Sequence, residues 1–197
     1  MKSEDWNRKY AEKELVWSAA PNRFLVAEVA GLEPGRALDV ACGEGRNAIW
    51  LAEQGWRVTG VDFSEVAVEK GRRIAERRGV EVDWRVADVL AYEPEPAAYD
   101  LVILFYLQLV QDELRRVLER AAQAVAAGGT FLLVAHDTRN LTDGWGGPQE
   151  AAVLYRPEDV VPSLDGLEVE KADAVLRPVE EESATAIDCL VRARRPA

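Results

Sequence analysis

At 197 residues, with 48% hydrophobic and 30% charged positions, the chain has the length and composition of one compact globular domain that needs no disulfides or metal to build its core. Its 24 Lys+Arg against 35 Asp+Glu leave a formal charge of -11, which repels phosphate backbones and anionic lipid and argues against nucleic acid and membrane surfaces as partners. Two cysteines without C-x-x-C spacing and a single His exclude a disulfide framework and a Cys/His zinc site. Met1 to Trp17 carries no apolar signal region and no apolar run is long enough to span a bilayer, so a cytoplasmic, metal-free monomer or homodimer is expected.

In chain order, Asp5 to Lys13 and Asn22 to Val29 read as helices, the second capped by Asn22. Ala37 to Ala41 reads as a short strand, and Gly43 to Gly45 opens a helix that Gly55 stops. A strand follows at Arg57 to Val61. Ser64 then caps a helix over Glu65 to Arg78, Gly79 ends it, and Glu81 to Ala87 alternates as a third strand. Tyr99 to Phe105 is the continuous apolar run of a strand buried on both faces. A helix over Asp112 to Ala126, closed by Gly128-Gly129, leads to a fifth strand at Thr130 to Ala135. Strands alternating with helices predict a doubly wound α/β sheet with helices on both faces. Leu167 to Val175 and Thr185 to Ala193, separated only by an acidic turn, predict an antiparallel hairpin that completes seven strands.

The most informative stretch is Gly43-x-Gly45-x-x-Ala48 between a strand and a helix, where glycines let backbone N–H groups approach a ligand. Asp62 ends the second strand nineteen residues after Gly43, where a carboxylate accepts hydrogen bonds from the hydroxyls of an adenosine ribose. Asp39 and Glu44 place negative charge near the spot a pyrophosphate needs, which suits an ammonium or sulfonium instead. Asp88, after the third strand, is placed to accept from an adenine amine, with Val89 and Phe63 offering apolar faces; the alternative is that Asp88 only caps its turn.

Leu38 to Asn47, Val61-Asp62-Phe63-Ser64 and Ala87-Asp88-Val89 resemble successive signature motifs of the class I S-adenosylmethionine-dependent methyltransferases, and the likeness runs from about residue 35 to 195. Gly45-Arg46-Asn47, Trp50-Leu51-Ala52 and Pro21 to Leu25 are most similar to the small tellurite-resistance and thiopurine-type members. The resemblance implies a Rossmann-like fold with an N-terminal helical segment, S-adenosylmethionine as cofactor and S-adenosylhomocysteine as product. It also implies that Asp39, Ala41, Gly43 and Gly45 line the methionine part, Arg46 reaches its carboxylate, Asp62 binds ribose, Asp88 and Val89 frame adenine beside Phe63, and Phe105 lies at the cofactor's edge.

On this reading the chain is one domain, with a helical cap at 1–33, a cofactor-binding core at 34–136, a substrate loop at 137–164 and a hairpin at 165–197. The acceptor is a small molecule such as a thiol or chalcogen oxyanion. Tyr10, Trp17, Tyr106 and Trp145 are the candidate acceptor contacts, and His136, at the carboxyl edge of the sheet, is the candidate general base with Tyr106 beside it. Two rivals share the glycine loop. One is a nicotinamide-dependent oxidoreductase, which needs a second parallel half-site, and the other is a cofactor-binding protein without turnover.

Overall fold

The computed structural model describes residues 3–12 and 19–197. Two helices, α1 (Ser3–Glu12) and α2 (Arg23–Glu28), precede β1 (Arg36–Val40), α3 (Arg46–Glu53), β2 (Arg57–Asp62), α4 (Glu65–Arg78) and β3 (Val82–Val86). After β4 (Tyr99–Phe105), α5 (Gln111–Ala124) and β5 (Val125–His136) come the one-turn helices α6 (Asn140–Asp143) and α7 (Pro157–Val160), then β6 (Glu168–Val179) and β7 (Ala184–Arg194). The sheet order is β3-β2-β1-β4-β5-β7-β6, parallel except that β7 runs antiparallel to both its neighbours. Winding reverses between β1 and β4, and in open sheets the crevice at such a reversal, beyond the carboxyl ends of the strands, is where ligands bind.

Burial explains why the central strands are continuous apolar runs. Side chains alternate between faces, so Val102 and Leu104 join Phe131 and Leu133 against Leu114, Val117 and Leu118 of α5. Leu101 and Ile103 join Leu132 and Val134 against Leu25 of α2 and Ala48 and Leu51 of α3. Both faces of β4 and β5 are therefore dry, which fixes register: a slip of one residue exchanges the two cores. Helix ends follow the sequence closely. Asn22 Oδ1 accepts from the Phe24 N–H at 2.9 Å, Ser64 Oγ accepts from the Ala67 N–H at 3.2 Å, and Gly79, at φ 68°, stops α4.

Two expectations need adjustment. The helix α5 stops at Ala124, because Val125 is buried and pairs with Tyr99, so the strand begins five residues early and passes through an irregularity at Gly128 and Gly129. Between β3 and β4, residues 87–98 form turns and irregular chain around Pro94 and Pro96. The hairpin strands are longer than the apolar pattern shows, since the outer face of β6 is polar, and they turn through a single 3-10 turn at Glu180–Glu182. No helix among the described residues is long and apolar enough to cross a membrane.

Phe131 is fully buried between β5 and α5. Phe131→Ala is expected to lower the unfolding free energy by about 3–5 kcal/mol, measured by urea denaturation. Val26→Ala, at a position 41% exposed, stays within about 0.5 kcal/mol of the parent.

Candidate active site

The turn after β1 is held open by backbone geometry. Ala41 (φ 60°), Gly43 (φ 56°) and Gly45 (φ 76°) all adopt left-handed conformations, an arrangement that costs little at the glycines and about 1–2 kcal/mol at Ala41. Asp62, at the end of β2, braces this loop: Oδ2 accepts from the Gly43 N–H at 2.9 Å and Oδ1 from the Ser64 N–H at 2.8 Å. Each oxygen keeps a second lone pair for a ligand. A side chain at Gly43 would place its Cβ 2.8 Å from the Tyr10 hydroxyl, so α1 comes down onto the loop exactly where glycine makes room. Lys70 ties the two together, donating to the Tyr10 carbonyl and, at 3.3 Å, to the buried carboxylate of Glu44.

A cavity of about 1400 Å³ runs along this carboxyl edge of the sheet. Asp39, Ala41, Gly43, Arg46 and Asp62 line one end, and Phe63, Asp88, Val89 and Leu90 line the adjoining wall. Asp39 is wholly buried, with Oδ2 lacking any hydrogen-bond partner; burial, and then the nearby Asp62, push its carboxyl up to about 8, against the pull of Arg46 and the Ala48 N–H. Burial likewise raises Asp62, with the Ser64 and Gly43 N–H groups opposing. Burial lowers the Arg46 guanidinium, which makes no hydrogen bond or ion pair among the described residues. Asp88 is exposed and caps its own turn, accepting from the Leu90 N–H at 2.9 Å.

The other end of the cavity is polar. Tyr106 follows β4 at φ 56° and is held there by its N–H to the Val134 carbonyl at 2.8 Å. Its hydroxyl donates to Asp188 Oδ2 at 2.8 Å and accepts from Asn22 Nδ2 at 3.3 Å; the Asn22 N–H in turn donates to Asn47 Oδ1. Burial and the adjacent Asp188 push the phenol well up. The His136 ring lies 4.7 Å from that of Tyr106. Asp188 is directly opposite His136 in the β5–β7 ladder, and Arg177 of β6 donates to Asp188 Oδ2 from Nε at 2.6 Å. Burial alone would raise Asp188, but His136, Arg177 and Tyr106 around it hold it below the usual carboxylate range. Tyr155, fully buried, accepts from the Leu109 N–H, and its one hydroxyl proton has the Leu109 carbonyl at 2.8 Å and the Leu107 carbonyl at 3.0 Å as acceptors, which sets the lip of the cavity after β4.

The fold therefore brings Tyr10, Phe105, Tyr106 and His136 to the same cavity as the glycine loop. Gly45 is not on its wall: a Cβ there would meet the Trp84 ring at 2.2 Å, so this glycine makes room for Trp84 and starts α3. Trp145 also stands apart, 49% exposed, and of the 137–164 segment only Glu150 and Val153 reach the cavity. Trp17 lies outside the described residues. Sequence reasoning missed Asn22, Asn47 and Arg177 as cavity residues, and Asp188, the buried carboxylate behind them that Arg177 and Tyr106 contact. The signal for Asp188 was its place as the lone acid in the otherwise apolar run Ala186 to Val191, a carboxylate that has to find partners.

Residues 37–129 match the model of a methyltransferase domain family. Over 109 residues the chain is 32% identical to a ribosomal RNA small subunit methyltransferase C of Alcanivorax borkumensis, a match that covers 53% of this chain and 33% of that protein. It is 38% identical over 108 residues to a ubiquinone biosynthesis O-methyltransferase of Alkalilimnicola ehrlichii, with 54% and 43% covered. The chain thus spans less than half the length of these curated relatives. The crystal structure of TehB from Haemophilus influenzae superimposes with a TM-score of 0.76 at 19% identity, covering 98% of this chain and 67% of that one, a likeness of fold. Residues 37–129, just under half of the chain, thus match a methyltransferase domain, and nearly the whole chain shares the fold of TehB.

Proposed function

We propose that the chain transfers a methyl group from S-adenosylmethionine to a small-molecule acceptor by in-line displacement, as a single cytoplasmic domain with a cofactor core at 34–136, a cap at 1–33, a substrate loop at 137–164 and a hairpin at 165–197. One observation carries this reading: beside the glycine loop, a buried Asp39 oxygen and the nearby Arg46 guanidinium both lack a hydrogen-bond partner among the described residues. An amino acid's ammonium and carboxylate supply the two charges these groups lack. Asp62 has lone pairs for a ribose diol, and Phe63, Val89 and Leu90 offer apolar surface to adenine. When bound, the cofactor supplies an electrophilic methyl on a sulfonium. The chain's own contribution is to hold the acceptor in line with it at the Tyr106 and His136 end and to keep water out.

The resemblance of Pro21 to Leu25 and Gly45 to Asn47 to the small tellurite-resistance and thiopurine-type enzymes supports a thiol, a chalcogen oxyanion or a similar small nucleophile as acceptor. The net charge of -11 weighs against RNA. A nicotinamide dinucleotide is disfavoured because the strands after β5 form an antiparallel hairpin and not a second parallel half-site.

Calorimetric titration with S-adenosylmethionine, S-adenosylhomocysteine and NAD is expected to show saturable binding of the first two alone; binding of NAD alone, or of none, overturns the proposal. Asp62→Ala is expected to weaken S-adenosylhomocysteine by on the order of 10-fold or more, and an unchanged affinity removes the ribose assignment. Asp39 gives a pH signature in the ligand-free protein. Because its folded carboxyl is raised to about 8, the folded chain keeps a proton that the unfolded chain has lost. The resulting stability is fully present below about pH 4 and is lost as pH rises toward about 8. Asp39→Asn should flatten the fall in urea stability between about pH 5 and 8, by at most about 1.4 kcal/mol per pH unit; unchanged slopes count against a protonated Asp39.

A further inference from the structure

We propose that Asp188 is a positioning residue that holds His136 as its Nδ1–H tautomer, so that Nε2 takes the proton of an acceptor that still carries one. The inference rests on the methyltransferase reading and narrows its acceptor to a protic nucleophile, a thiol or a phenol-type hydroxyl, because an oxyanion already ionised needs no base.

The geometry starts with the ladder. His136 and Asp188 are cross-strand partners, so their side chains rise from the same face of the sheet. Nδ1 is buried and lies 3.3 Å from Asp188 Oδ1, at an angle poor for a hydrogen bond in the ligand-free chain. Arg177 Nε and the Tyr106 hydroxyl donate to the other carboxylate oxygen, Oδ2, while Oδ1 accepts from Arg177 Nη2 at the longer distance of 3.5 Å and is the oxygen nearest the ring. An ionised carboxylate only accepts, so a neutral imidazole beside it has to carry its proton on Nδ1. The His136 side chain is 15% exposed while Nδ1 is buried, the ring lines the cavity, and Nε2 makes no hydrogen bond among the described residues. Tyr106 at 4.7 Å and the Gly147 backbone, where an added Cβ would come within 3.0 Å of the ring, leave it little room to flip. The charged and titratable groups around the ring are thus Asp188 from β7, Arg177 from β6 and Tyr106 from the end of β4.

In the step this pair serves, the acceptor's S–H or O–H proton passes to Nε2. The freed electron pair forms the new bond to the methyl carbon as the sulfur–methyl bond breaks, its pair remaining on sulfur. The products are the methylated acceptor, S-adenosylhomocysteine and an imidazolium that loses its proton to solvent.

His136 is the only histidine in the chain, so its tautomer can be read without assignment. Histidine-selective 15N NMR of the wild-type protein saturated with S-adenosylhomocysteine is expected to show a protonated Nδ1 and an unprotonated Nε2; the Nε2–H tautomer, or an even mixture, overturns the proposal. That measurement needs neither a variant nor a known acceptor. The kinetic arm uses thiols of graded acidity, from a thiophenol ionised at the assay pH to an alkanethiol that keeps its proton there. The rate for the least acidic relative to one ionised at the assay pH should fall on the order of 100-fold in His136→Gln and on the order of 10-fold in Asp188→Asn. A ratio equal to wild type in both variants overturns the base assignment, because a merely structural loss lowers both rates alike. Failure of S-adenosylhomocysteine to bind refutes the underlying function, whereas binding with the wrong tautomer refutes this inference alone.

Discussion

A carboxylate with no solvent exposure is the constraint around which the acceptor end is built. Burying the charge of Asp188 costs several kcal/mol unless partners surround it, and those partners come from β6, from the residue after β4 and from β5. The C-terminal hairpin is therefore more than an edge to the sheet. It delivers the anion that orients Arg177, Tyr106 and His136 toward one cavity. Tyr106 in turn accepts from Asn22, the cap of α2, which draws the N-terminal segment into the same network.

The two ends of the cavity differ in how their charges are settled. At the hairpin end, each charged group has a neighbour of opposite sign within the chain. At the glycine-loop end, Asp39 Oδ2 and Arg46 find no hydrogen-bond partner among the described residues, and burial moves both groups toward their neutral forms. A site whose charges are unmatched by the chain itself gains most from a ligand that brings the complementary pair, and a zwitterionic amino-acid moiety does so without changing the net charge.

Local rules made the first half of the molecule legible. The Ser64 cap, the Gly79 stop and the limits of β4 are visible in the sequence because capping, left-handed glycine and double-sided burial act over a few residues. The glycine loop and Asp62 come together in register because β1 and β2 are parallel neighbours joined by one helix. The acceptor end was harder to read. His136 and Asp188 are 52 residues apart, and only the register of an antiparallel pair decides that they meet; the strand's apolar pattern constrains its faces but not which partner residue stands opposite. Trp145 stands outside the cavity for a related reason. Asn140, buried, accepts from the Ile187 N–H and donates to the Gly146 carbonyl, and so folds the glycine-bearing loop onto β7.

Gly147 shows how that loop is bound to the chemistry. Its φ of 77° disfavours any side chain, and the space a side chain would take is already filled by the His136 ring. A surface loop normally accepts substitutions freely, but at this position variation is policed by an aromatic ring eleven residues earlier in the chain. Divergence among related chains should run around Gly147, through neighbours such as Gln149 and Glu150, and the loop can change its outer face while the ring's surroundings stay the same.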